Sequence, residues 1–162
     1  MLNPIDAAAV LRDGRATGLH PSQIHAGVAW WLGACLVVTQ KATTVAVAHD
    51  GDSLSAEYAA RLARGATNAL HYRCRVTLFL SPTSPEELRQ HAQELGGAPF
   101  AYITTSPGSE VAVALFDAEG KALTEESGLA EIRTLIERDR VPLPVNDSSR
   151  GTIQHREKTD AR

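Results

Sequence analysis

Thr44-Val45-Ala46-Val47-Ala48-His49-Asp50-Gly51-Asp52-Ser53-Leu54-Ser55 is the stretch from which the fold is read. Val45 to Ala48 is a short β-prone run, and the polar His49-Asp50-Gly51-Asp52 that follows it is a turn. Ser53 or Ser55 then suits the N-cap of a helix, because a hydroxyl at that position accepts a bond from a free helix N–H. Tyr58, Leu62, Ala66, Ala69 and Leu70 fall on one side of that helix, with Glu57, Arg61, Arg64 and Asn68 on the other. The unit is strand, turn, helix.

The same unit recurs downstream. Val76 to Leu80 is a second apolar strand, followed by Ser81-Pro82-Thr83-Ser84-Pro85 and a helix that carries Leu88, His91, Ala92 and Leu95 and ends at Gly96-Gly97. Phe100 to Thr104 predicts a third strand and Val111 to Phe116 a fourth, and the short link Ser106-Pro107-Gly108-Ser109 makes those two an antiparallel pair. After the turn Asp117-Ala118-Glu119-Gly120, the residues Leu129, Ile132, Leu135 and Ile136 mark a last helix from about Glu125 to Arg138. Upstream, Asp13 to Gly18 reads as a loop and Pro21 as the first turn of a helix reaching Val38, with one apolar face made by Ile24, Val28, Trp31, Leu32, Cys35 and Leu36. Strands alternating with helices predict an α/β fold, a three-layer α/β/α sandwich around a mixed, mostly parallel four-stranded sheet whose first three strands are parallel. The expected domain covers residues 1–145. Residues 146–162 are polar, with Ile153 almost the sole apolar side chain, and are expected to be a flexible tail.

Composition narrows the function. The 162 residues, 43% hydrophobic and 22% charged, fit one globular domain. Sixteen Lys and Arg against nineteen Asp and Glu leave a net charge of −3, which speaks against nucleic acid or an anionic membrane as a partner. Cys35 and Cys74 form no Cys-x-x-Cys pair and no cluster at zinc spacing, so both are expected to be reduced and buried, with no metal site. Met1 to Val10 has no basic leader, and no apolar run reaches the roughly 18–20 residues that span a bilayer. The expected location is the cytoplasm.

In open sheets of this kind ligands bind beyond the carboxyl ends of the strands. Three loops meet there, His49 to Ser55, Ser81 to Pro85 and Thr104 to Ser109, all rich in hydroxyls. Their order resembles the first domain of the α-D-phosphohexomutases, the phosphoglucomutase and phosphomannomutase family. Val47 to Ser55 resembles that family's Gly-Arg-Asp-x-Arg-x-Ser-Ser loop, with Asp50 and Ser55 in place and both arginines absent. Ser81-Pro82-Thr83-Ser84-Pro85 resembles its Pro-Thr-Pro turn with one extra residue. Ile103-Thr104-Thr105-Ser106-Pro107-Gly108-Ser109 falls where the family has Thr-Ala-Ser-His-Asn-Pro, whose serine carries the catalytic phosphate. Gly120 to Thr124 and Gly128 to Ile132 are similar to the segment that follows, so the likeness spans nearly the whole chain.

The resemblance implies Ser106 as the phosphoryl-carrying residue, with Thr105, Ser109, His49, Arg12 and Arg15 as phosphate or substrate contacts. The implied activity is an intramolecular phosphotransfer on hexose phosphates, which depends on charge stabilisation by Mg²⁺ and basic groups. Here the family's His and Asn are replaced by Pro107 and Gly108, and Ser-Pro-Gly-Ser is equally the composition of a plain β-turn. Asp50-Gly51-Asp52 reads as a turn and helix cap rather than a magnesium loop, His49 reads equally as a hydrogen-bonded spacer at a strand end, and His20 reads as a helix-start residue. The chain matches the first of the family's four domains, and the others supply its metal loop and sugar-recognition parts. It is therefore expected to be a degenerate domain, inactive alone and without a cofactor, that binds a hexose phosphate or a protein partner, or forms a homodimer. The alternative is one subunit of a split mutase, with Ser106 as phosphoserine and Mg²⁺ at the completed site.

Overall fold

Every residue from Val45 to His49 is buried in β3 (Thr44–His49), because this strand has neighbours on both edges and layers on both faces. The computed structural model describes residues 5–68, 74–138, 140 and 151–156. β4 (Arg75–Phe79) and β5 (Phe100–Ser106) flank β3 in parallel, with Thr77 and Phe100 opposite Ala46. Val45 and Val47 enter the larger core, and Ala46 and Ala48 the smaller one on the other face. A run of apolar residues without polar alternation is what a strand covered on both faces requires. β6 (Glu110–Phe116) returns antiparallel along β5. The three-layer α/β/α reading, with three parallel strands and an antiparallel fourth, holds.

The sheet has seven strands rather than four, in the order β1-β2-β6-β5-β3-β4-β7. β1 (Leu11–Arg12) and β2 (Arg15–Leu19) form a hairpin inside the stretch expected to be a loop. Its turn residues Asp13 and Gly14 have φ of 57° and 77°, both left-handed, and Asp-Gly suits a two-residue turn of that geometry. β7 (Thr152–Arg156) pairs in parallel with β4, inside the stretch expected to be a flexible tail. Only Ile153 of this strand packs against the core, so its apolar signal is too thin for periodicity to register. The helix-face residues Ala69 and Leu70, Arg73, and tail residues 146–150 and 157–162 lie outside the described residues.

α2 (Ala26–Gln40) differs from the expected helix in two ways. It starts at Ala26 with His25 as N-cap, leaving Pro21 in the preceding turn. It is also buried at nearly every position from Ala26 to Val37 rather than along one face, because it lies among the sheet, α3 (Ser53–Thr67) and α5 (Ala130–Glu137). Asp52, not Ser53 or Ser55, caps α3: its carboxylate accepts the Leu54 N–H at 2.9 Å. Glu125–Leu129 forms a kinked turn, with Gly128 at φ 146°, that leads into α5. On the opposite face α4 (Pro85–Glu94), opened by a Ser84–Glu87 capping box, sets Leu88 and Ala92 against Phe79, Ala98 and Phe100. Arg89 of α4 lies over the stacked rings of Phe100 and Phe116 and donates to the Gly120 carbonyl. Cys35 and Cys74 are free and buried, and burial pushes each thiol up to about 12.

α2 and α3 touch backbone to backbone. A Cβ at Gly33 would overlap the Leu62 carbonyl oxygen, and one at Gly65 would overlap that of Trp30. Gly→Ala in an ordinary exposed helix gains about 1 kcal/mol from propensity. At these two positions the sign reverses: Gly33→Ala and Gly65→Ala should each cost about 2–4 kcal/mol in urea unfolding, because the helices must separate.

His91 of α4 meets the Phe79 ring edge-on with centroids 5.2 Å apart, and both its ring nitrogens are buried without a hydrogen-bond partner. Burial lowers its pKa, the nearby Arg156 of β7 lowers it further, and Glu94 offsets part of this. A histidine held neutral on folding binds its proton more readily when unfolded, so stability falls as pH drops through about 6.5. The urea midpoint should decline between pH 7.5 and 5.5, and His91→Phe should flatten that decline.

Candidate functional site

β3 ends at His49, and the chain turns over the carboxyl edge of the sheet at Asp50. The three hydroxyl-rich loops meet here. The Asp50 N–H donates to the Ile103 carbonyl at 3.1 Å, and the Thr83 N–H donates to the His49 carbonyl at 3.1 Å. Tyr102 closes the second loop by donating its hydroxyl to the Thr83 carbonyl at 2.6 Å.

Asp50 sits at the centre. One carboxylate oxygen accepts the Asp52 N–H and the other the Thr105 N–H, each at 3.0 Å. Burial alone would raise its pKa, but those two N–H groups and the Ser55 hydroxyl outweigh it and hold the carboxyl below its ordinary value. Ser55 Oγ lies 2.6 Å from Thr105 Oγ1. Asp50 thus ties the first loop to the third through Thr105, the residue just before Ser106.

His49 is 3% exposed. Its Nδ1 accepts the Gly51 N–H at 3.0 Å, so its proton resides on Nε2, and the ring also engages the Phe79 backbone. Burial lowers its pKa, against partial opposition from Asp50. The ring is thus held at the strand end by backbone groups on both of its edges.

Ser106 and Ser109 sit in the β5–β6 hairpin. The Ser109 N–H donates to the Ser106 carbonyl at 3.1 Å, with Pro107 and Gly108 between them and Gly108 at φ 91°. Proline followed by a left-handed glycine is the composition of a type II turn. The exposed Ser106 hydroxyl donates to the Glu110 carbonyl at 3.3 Å, and Glu110 is also its cross-strand partner. The Ser109 carbonyl accepts the His20 N–H at 2.9 Å. His20 Nδ1 in turn lies 2.7 Å from the hydroxyl of Tyr58, a fully buried residue whose pKa is raised by burial and by Glu57.

No local pattern in the sequence marks this His20–Tyr58 bridge. Ser55 and Tyr58 stand three residues apart on one face of α3, which is legible, but the approach of His20 depends on how α2 and α3 pack. Arg12 and Arg15 are not brought to Ser106. Arg15 pairs with Ala114, whereas Ser106 pairs with Glu110 and Glu110 with Leu19. The offset is four residues along the strands, about 13 Å, with two strand spacings of about 4.8 Å across. Within the three loops and the residue opposite Ser106, the acidic and basic side chains apart from His49 are all carboxylates: Asp50, Asp52 and Glu110. Among the described residues no group of His, Cys, Asp and Glu is arranged to hold a metal ion.

Asp50→Ala should remove the acceptor for two loop amides and cost about 2 kcal/mol at neutral pH. A carboxyl held low on folding contributes above about pH 4, and that contribution disappears as pH falls through the folded value. Urea unfolding should therefore separate wild type from variant at pH 7, with the gap narrowing as pH falls below about 4, and Thr105 amide exchange should accelerate in the variant.

No family model matches the sequence, and no curated protein matches it. Solved structures do share its fold. A Thermus thermophilus protein described as a phosphomannomutase superposes with a TM-score of 0.69 at 19% identity, over 88% of this chain and 32% of its own. A phosphoglucomutase/phosphomannomutase family protein from Burkholderia thailandensis gives 0.71 at 14% identity, over 95% of this chain and 34% of its own. The chain spans about a third of the length of either neighbour, and at these identities the likeness is one of fold.

Proposed function

We propose that this chain is a phosphohexomutase-like first domain whose hydroxyl loop has lost phosphoryl-transfer chemistry and which serves as a binding module for a sugar phosphate or a protein partner. The observation that carries the reading is the Asp50–Thr105 bond at 3.0 Å. Thr105 contributes the backbone N–H immediately before Ser106, the kind of donor that a phosphorylated serine needs close by. A carboxylate already occupies it. Glu110 faces Ser106 across the hairpin, and the neutral, buried His49 offers no compensating charge. At an effective dielectric of about 20, two like charges about 4 Å apart repel by roughly 4 kcal/mol, an upper guide for exposed groups. A third of that cost lowers occupancy about tenfold.

The fold likeness and the four motifs in family order support descent from a mutase-type domain. The same fold likeness is compatible with a second reading, in which this chain is one subunit of a split mutase that uses Ser106 and Mg²⁺. Intact-mass spectrometry of the protein taken from its native host, before and after incubation with a hexose bisphosphate and Mg²⁺, separates the two. The expected result is no phosphate on Ser106 and no interconversion of hexose 1- and 6-phosphates in a coupled assay. A stoichiometric phosphate mapped to Ser106, lost in Ser106→Ala, would overturn the binding-module reading in favour of the split enzyme.

A further inference from the structure

We propose that two copies of this chain join edge to edge through β7, the outer strands pairing antiparallel about a two-fold axis at Gln154 so that two seven-stranded sheets become one. The sheet ends in two edges. At one, β1 is two residues long and is entered directly from α1 (Ala7–Val10), too short to template another strand. At the other, β7 pairs with β4 over all five of its residues and with no other strand among the described residues. Edge strands that stay single are commonly guarded by proline, lysine or a bulge. β7 contains no proline and no lysine, its register with β4 runs without a bulge, and Arg156 lies over the Phe79 ring of its own chain.

The free edge is complementary to itself. The Thr152 N–H donates to the Cys74 carbonyl at 3.0 Å, and the Arg156 carbonyl accepts the Leu80 N–H at 2.9 Å. Residues that bond to one neighbour alternate along a strand, so Thr152, Gln154 and Arg156 serve β4, and the N–H and C=O of Ile153 and His155 point away from the sheet. With Gln154 opposite the partner's Gln154, Ile153 stands opposite the partner's His155. That pair exchanges two N–H···O bonds, and the two-fold axis repeats it, so every outward group of Ile153 and His155 is satisfied. A register centred on Ile153 or on His155 makes only one such pair within β7, and the second sets two histidines face to face. In the Gln154 register Arg156 meets the partner's Thr152, so no like charges are opposed, and the two Gln154 amides can donate to and accept from each other at the axis. Ile153 is the one apolar side chain at this edge, so the contact is held by backbone bonds and is weak and concentration-dependent. β7 stands three positions from β5 in the sheet, so the dimer leaves the hydroxyl loops open and is independent of what Ser106 does.

Sedimentation velocity of the full chain at increasing concentration, combined with cysteine cross-linking, tests this. Wild type should show a reversible monomer–dimer equilibrium. His155→Pro removes an outward N–H and none that faces β4, so it should weaken the dimer at least about tenfold by deleting a bond on each side of the axis. Residues in a non-hydrogen-bonded antiparallel pair have Cα atoms about 4.5 Å apart, within reach of a disulfide. Gln154→Cys should therefore close an intersubunit disulfide under mild oxidation at least about tenfold faster than Thr152→Cys, whose two copies are offset by four residues, about 13 Å. Cys35 and Cys74 are buried and do not compete. A monomer at every concentration, a dimer unchanged in His155→Pro, or equal linking at positions 152 and 154 would each overturn the proposal. If His155→Pro fails to fold, the ratio of the two linking rates decides alone.

Discussion

Where α2 crosses α3, Gly33 and Gly65 let each helix rest on a carbonyl of the other, and this contact sets the distance between the two helices. Much else follows from that distance. α2 is enclosed on nearly every side, so it carries Ala29, Leu32, Cys35 and Leu36 in the core without a polar face to spare. α3 presents Tyr58 to the turn that precedes α2, which brings the Tyr58 hydroxyl to His20. It also presents Ser55 to Thr105 at the end of β5. A Cβ at either glycine acts first on packing, yet it pushes apart the same two elements that hold the hydroxyl loops together.

The loops at the carboxyl edge are held by electrostatics of a particular sign. Asp50 accepts two backbone N–H groups and a hydroxyl, so its negative charge is committed inside the protein to fixing the turn. His49 fixes the turn as a neutral ring, its Nδ1 accepting the Gly51 N–H. A loop built in this way is rigid and self-satisfied, and its remaining exposed hydroxyl, on Ser106, is bonded to a carbonyl across the hairpin.

The part of the fold legible in sequence is the part whose pattern is local. β3 to β6, α3 and α4 each carry their own periodicity or cap, and the turn-and-cap reading of Asp50-Gly51-Asp52 matches the Asx-type bonds of both aspartates. The β1–β2 hairpin had a local signal in Asp13-Gly14, but β1 is two residues long and β2 contains Gly18, so no alternation of useful length supported it. β7 is written in polar residues because it is an added outer strand held mainly by its ladder to β4. The start of α2 is ambiguous in the sequence because Pro21 suits both a helix's first turn and a plain turn, and His25 is an unusual cap. His20 with Tyr58, and Gly33 with Gly65, were illegible for one reason: each pairs residues more than thirty positions apart, and nothing local marks either member.

A fold of this type separates what its sequence must conserve physically from what it is free to change. The core between the sheet and the α2–α3 pair is closely packed, and volume changes there are costly. Residues at strand ends contribute little to that packing, so their charges can change sign while the backbone stays put. That is how a chain can superpose on solved structures at 14–19% identity while the loops at its strand ends carry charges of their own. Phosphate chemistry needs cations with free donors, whereas the loop after β3 carries a carboxylate, Asp50, that is bonded to two backbone N–H groups. Backbone position and loop charge are thus set by different constraints, the first by packing between the sheet and the α2–α3 pair, the second by the hydrogen bonds made at the strand ends.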